Sequence, residues 1–273
     1  MTETVHADLP AMTATGWWRR LSRPARTALV IGEFVALALL WELAVSGIGL
    51  INPLFAPPPS RIITGLIELF ATGEIWPDLQ ASGYAWAVGY SGAVVIGIVS
   101  GLALGSWNAF ARLGGPILWV IYAAPWVAFQ PLFAVWFGFG SAAVIFLVFT
   151  AAVFPILFNT AAGVRTVDET LLNCAAVWGI RGTAAYRKVV IPATFPFIIV
   201  GLRHGVVIAN IGLLVGEMTG STDGLGALIV HKTQQFQLGQ TFAALMVSVV
   251  FTTLVSQALM GIGKKLSPWH FEV

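Results

Sequence analysis

Apolar residues run almost uninterrupted for about twenty positions at a time, six times along the chain, and most charged residues collect in the gaps. The runs cover roughly 27–50, 82–106, 114–137, 141–163, 193–216 and 241–262. Each is close to the ~20 residues a helix needs to cross a ~30 Å hydrocarbon core. The pattern predicts an all-α, polytopic membrane protein with about six transmembrane helices. Arg19, Arg20, Arg23 and Arg26 precede the first run, which is too long for a signal-peptide core and has no clear small-residue cleavage site. It reads as a retained span. The expected organisation is a tail over 1–26, a membrane domain over 27–265 and a second tail over 266–273.

Details within the runs assign them different tasks. Gly97, Gly101 and Gly105 stand at four-residue steps in the second run, a row that lets helix backbones approach closely. Pro116, Pro125 and Pro131 predict a kinked or broken third run. Broken helices at membrane depth tend to line cavities, so Trp126 and Gln130 become pathway candidates beside a purely structural reading. In the fifth run Arg203, Asn210 and Glu217 share one face, because seven-residue steps nearly close two helical turns. Gly201, Gly205, Gly212 and Gly216 occupy the other side. Arg203 either offers positive charge to an anionic solute or snorkels to the inner surface. Glu217 falls at the outer end, and Asn159 near the inner end of the fourth run caps the helix or lines the inner mouth. His204 reads as a buried packing residue, and Glu42 as interfacial.

Between runs one and two, Pro53, Pro57, Pro58 and Pro59 predict an extended segment. Ser60 can then cap a short interfacial helix with Ile62, Ile63, Leu66, Leu69 and Phe70 on one apolar stripe.

Composition agrees with a membrane protein: 58% hydrophobic residues against 10% charged is more apolar surface than a soluble domain carries. The net charge of +2 gives no sign of a nucleic-acid partner, but its distribution sets orientation. With the N-terminus inside, the N-terminal arginines, Arg112, Arg165, Arg181, Arg187, Lys188, Lys264 and Lys265 all lie at the cytoplasmic side. Both termini are therefore expected in the cytoplasm. One cysteine excludes an internal disulfide and supplies no metal site.

The loop over 164–192 carries the most specific pattern. Asp168 or Thr166 can cap a short helix, Gly179 allows a sharp turn, and Pro192 can open the next span. Arg181, Arg187 and Lys188 face the cytoplasm. The spacing of Asn173, Cys174, Ala175, Gly179, Val189, Ile191 and Pro192 resembles the Glu-Ala-Ala loop of permease subunits of ATP-binding-cassette importers. Asn173 stands where the family usually has glutamate, which puts one ion pair with the ATPase in doubt. Trp41-Glu42, the Pro-Pro-Pro-Ser step, Trp136 to Gly140, Phe154-Pro155, Asn159 to Gly163 and Gly216-Glu217-Met218 are similar to the sulfonate, taurine and nitrate branch.

That resemblance implies a type I importer fold in the cell membrane and a coupling helix involving Asn173, Cys174, Ala175, Gly179, Ile180, Arg181, Arg187 and Pro192. It implies two ATPase subunits that hold ATP and Mg2+, a second permease copy, and a periplasmic or lipid-anchored solute-binding protein. Solute would cross by alternating access. No Gly-x-x-x-x-Gly-Lys-[Ser/Thr] phosphate loop occurs here, so no catalytic residues and no cofactor are assigned to this chain. An ion-gradient transporter would be expected to show internal repeats and central acids, and an intramembrane enzyme a nucleophile with its base. Neither pattern is present.

Overall fold

The computed structural model describes residues 22–266, and every regular element among them is helical. The chain divides after Arg61 into two units. In the first, α1 (Arg23–Glu42) runs into a π-helical turn at Leu43–Gly47. Phe34, Leu37 and Leu40 are exposed, as suits a helix surrounded by lipid. Glu42 does more than sit at an interface. Its carboxylate accepts from the Ser60 backbone N–H at 3.0 Å and from the hydroxyls of Ser60 and Ser46, each at 2.9 Å. It thus caps the first turn of α2 (Pro59–Ala71).

In the second unit the apolar stripe of α2 separates into two. Ile62, Gly65 and Leu69 are buried, whereas Ile63 and Phe70 are exposed. Residues 62 and 63 lie ~100° apart around a helix, so one packing surface cannot take both. Gly65 marks the contact: a Cβ there would fall 2.7 Å from the Gly239 carbonyl carbon.

The membrane helices follow as α3 (Ile75–Ser106), α4 (Asn108–Ala123), α5 (Gln130–Phe137) and α6 (Ser141–Arg165). Next come α7 (Glu169–Val177), the continuous α8 (Thr183–Gly220), α9 (Leu225–Gln234) and α10 (Leu238–Leu266). Five helices are long and apolar enough to span a membrane, and α4 with the 126–137 segment forms a sixth, bent by 73°. The break lies at Ala124-Pro125, Pro116 sits inside α4, and Pro131 opens α5. Proline at a first turn needs no amide donor, so α5 can restart there.

Two spans begin earlier than the apolar runs. α3 starts at Ile75 because Pro77 falls in the first turn and Asp78 suits the helix dipole. α8 starts at Thr183, so Pro192 does not open the span. A π-helical turn at Tyr186–Val190 absorbs the proline, with Ile191 N–H bonding to Tyr186 O. Such a turn removes the demand for the amide that Pro192 lacks.

α6 is the centre of the bundle, held between α3 and α8. Gly89, Gly97, Gly101 and Gly105 bring α3 against it, and Gly201, Gly205, Gly212 and Gly216 do the same for α8. In lipid, where apolar burial drives little association, this close van der Waals contact holds the bundle. A Cβ at Gly101 would sit 2.6 Å from Leu157 O and 2.7 Å from Thr160 Cβ. Gly101→Leu is expected to destabilise the bundle by at least ~1–3 kcal/mol, the range for overpacking. A thermal melt in detergent that matched wild type would contradict it.

Candidate coupling loop and translocation path

The segment after α6 is built by local hydrogen bonding. Arg165 donates to Leu104 O at 3.2 Å, tying the end of α6 to α3. Asp168 rather than Thr166 caps α7, its Oδ1 accepting from Thr170 N–H at 2.8 Å, while the Thr166 hydroxyl bonds to Gly163 O. The Thr170 amide holds the Asp168 carboxyl below the ordinary carboxylate range. A depressed pKa means that the cap stabilises α7 at neutral pH and is lost as pH falls through the lowered value.

α7 ends in a glycine-terminated double turn. Ile180 N–H reaches Ala175 O at 2.9 Å and Gly179 N–H reaches Ala176 O at 3.1 Å, with Gly179 at φ +76°. Gly182, at φ +56°, starts α8. Tyr186 braces that start against α3, its hydroxyl accepting from Ser106 at 2.9 Å.

Of the residues expected to couple, Asn173, Cys174, Gly179, Arg181, Arg187 and Pro192 are exposed, Ile180 is half-buried and Ala175 is buried. The sequence reading passed over Val177 and Trp178, which are 86% and 84% exposed at the tip of α7. Two large apolar side chains just before a turn glycine, outside any span, were the available signal. Apolar tips of this kind, ringed by arginine, are typical anchors for a partner protein.

The pathway candidates are more scattered. Glu217 is buried, accepting from Ser82 Oγ at 2.6 Å and from Gly226 N–H at 2.8 Å. Ser82 in turn accepts from Leu225 N–H, and Asp78 from Gly224 N–H, each at 2.8 Å. Three successive amides opening α9 are thereby capped by side chains of α3 and α8. Lys232, buried near the other end of α9, pairs with Glu74 at 2.6 Å. Asn210 accepts from Ser248 of α10 at 2.9 Å. Both line a cavity of ≈ 280 Å³ with Leu79, Ser82, Leu213 and Phe251. Gln130 is buried and donates to Gly216 O at 3.4 Å.

Asn159 bonds to Pro155 O in its own helix at 2.8 Å. Arg203 is half-buried, with Nε unpartnered among the described residues. His204 is exposed, contrary to the packing role expected of it. It shares the open face of α8 with Val200, Val207, Ile208 and Ile211, because 204, 208 and 211 follow helical spacing. Trp126 stacks on Phe154 at 5.8 Å beside the break between α4 and α5. No cluster able to hold a metal occurs among the described residues.

The sequence model for binding-protein-dependent transport system inner membrane components matches residues 93–269, well over half of the chain. This chain belongs to that family. A Bacillus subtilis protein named for aliphatic sulfonates transport is 30% identical to the permease over 96% of this chain and 91% of its own. The taurine transport system permease protein of Escherichia coli is 29% identical, covering 94% of both chains. The formylaminopyrimidine transport permease protein of Halalkalibacterium halodurans is 27% identical over 87% of this chain and 94% of its own. The protein is thus the multi-pass inner-membrane permease component of an ATP-binding-cassette importer. It works with ATPase and solute-binding components and is not itself an enzyme.

Proposed function

We propose that this permease imports a small organic anion of the sulfonate or taurine type by alternating access. The similarity to permeases named for aliphatic sulfonates and taurine, over nearly the whole chain, carries this reading. Two copies assemble with two ATPases, which hold ATP and Mg2+, and receive solute from a periplasmic or lipid-anchored binding protein. No cofactor resides on the permease itself. Both termini lie in the cytoplasm, so the 164–192 loop meets the ATPase. Asn173, Cys174, Ala175, Gly179, Ile180, Arg181, Arg187 and Pro192 form the coupling segment, with Trp178 as its anchor.

The pathway runs between the two copies. The open face of α8 and the α4–α5 break turn toward it, and Trp126, Gln130, Asn159, Arg203, Asn210 and Glu217 line or support it. The unpartnered Nε of Arg203 supports a role in attracting anions. Arg203→Gln should then lower uptake of a sulfonate without changing assembly; equal uptake would remove that role.

The test is uptake of taurine and ethanesulfonate by vesicles holding permease, ATPase and binding protein. ATP-dependent accumulation is expected. Trp178→Ala should weaken ATPase capture at least ~10-fold, as loss of an interface anchor does. Undiminished capture would place the ATPase contact elsewhere.

A further inference from the structure

A cavity of ≈ 160 Å³ lies where the broken third span meets α6 and α8, walled by Tyr122, Trp126, Thr150, Phe154, Ile208 and Ile211. At ~30 Å³ per water in the liquid, that is room for roughly five waters, or a solute of comparable size. Its walls are mostly aromatic and aliphatic. The Thr150 hydroxyl is directed to Phe146 O in its own helix, at 2.7 Å. The Trp126 indole nitrogen is buried and has no hydrogen-bond partner among the described residues.

A buried donor without an acceptor costs free energy, so such groups are rare and call for a reason. Trp86 has the same defect, but its ring is stacked at 4.5 Å on Tyr90 within the core and it borders none of the described cavities. Trp126 combines an unused donor, a cavity wall and a span broken at the residue before it. Ile208 and Ile211, on the far wall, belong to the open face of α8, so the cavity has an exposed flank.

The geometry points to this cavity as a solute-binding station, in which Trp126 Nε1–H donates to an oxyanion of the solute and the aromatic walls take its short apolar body. A sulfonate suits both features: its oxygens accept readily, and its alkyl end needs no polar partner. A single neutral donor also holds an anion less tightly than a buried cation would, which favours release during transport. This assignment rests on the sulfonate-import reading above.

The test separates the two claims. The complete complex, labelled with 5-fluorotryptophan, gives one 19F resonance for Trp126, assigned by its loss in Trp126→Phe. Addition of ethanesulfonate should shift that resonance saturably in nucleotide-free or vanadate-trapped complex. In vesicles, Trp126→Phe keeps the ring and should raise the KM for ethanesulfonate at least ~10-fold, the effect of losing a hydrogen bond to a charged group. Stimulation of ATPase by the binding protein should stay intact. Ile211→Phe, at an exposed position, should narrow the cavity and lower uptake while keeping the indole. Uptake by wild type with no resonance shift in either state, and unaltered KM in both variants, overturns the site and leaves the import reading standing. A shift without uptake by wild type keeps the site and overturns the import reading. Failure of both shift and uptake overturns both.

Discussion

Gly179→Val is expected to abolish solute-stimulated ATP hydrolysis and uptake while leaving the membrane bundle folded. Gly179 sits at φ +76°, and a Cβ there would meet nothing within 4 Å, so the cost is conformational. A β-branched residue in the left-handed region costs at least ~1–2 kcal/mol. Relief comes by rotating out of that region, which breaks the bonds from Ile180 to Ala175 and from Gly179 to Ala176. α7 has only nine residues, too few to persist in water without its caps and packing. Trp178 would then lose its fixed position. Reconstituted complex should show a fall of ~10-fold or more in stimulated ATPase, with an unchanged thermal melt for the isolated permease. Gly179→Asn should keep most activity, because asparagine tolerates this conformation better. Normal coupling in the valine variant would mean that the turn does not position the contact.

Glu217→Ala is expected to loosen the opposite end of the bundle. It leaves the Ser82 hydroxyl and the Gly226 amide without their acceptor, both in buried surroundings. Each unpaired buried group costs ~1–3 kcal/mol, so the sum is ~2–6 kcal/mol. The negative charge at the N-terminus of α9, worth ~0.3–2 kcal/mol, is lost as well. Glu217→Gln should fall between, since its amide places a donor against one of two donors. Gly224→Ala reaches the same joint from the other side: its Cβ would collide with the Glu217 carboxylate, and its φ of +109° disfavours any side chain. Melting temperature and proteolysis between residues 221 and 224 read the effect. A Glu217→Ala melt within a degree of wild type would show that the three capped amides do not hold α9.

The membrane spans were legible because each is a long apolar run, and so were the broken third span, from its prolines, and the close approach of α3, from its glycines. The starts of α3 and α8 were not. Residues 75–81 and 183–192 extend beyond the apolar runs, so a hydropathy boundary misses helix that continues past them. Pro192 resembled a helix start, and only the π-helical turn before it shows how the backbone passes through. The capping of α9 was invisible for another reason: Asp78 and Ser82 are 146 and 143 positions from the amides they receive. Helical spacing correctly placed Arg203, Asn210 and Glu217 together, yet it could not tell which face of α8 would be open. Asn210 and Glu217 turn to neighbouring helices, and His204 is on the open side.

α8 runs without a gap from Thr183, beside the turn that positions Trp178, to Gly220, beside the capped amides of α9. At 1.5 Å per residue its 38 residues make a rod of ~57 Å. A tilt of one degree about either end displaces the other by about 1 Å. The π-helical turn is the compliant place in this rod, close to the driven end, so most of the length swings as one lever. A push delivered at the coupling loop therefore arrives at the far joint as displacement in a single mechanical step, with no relay of side chains needed between them.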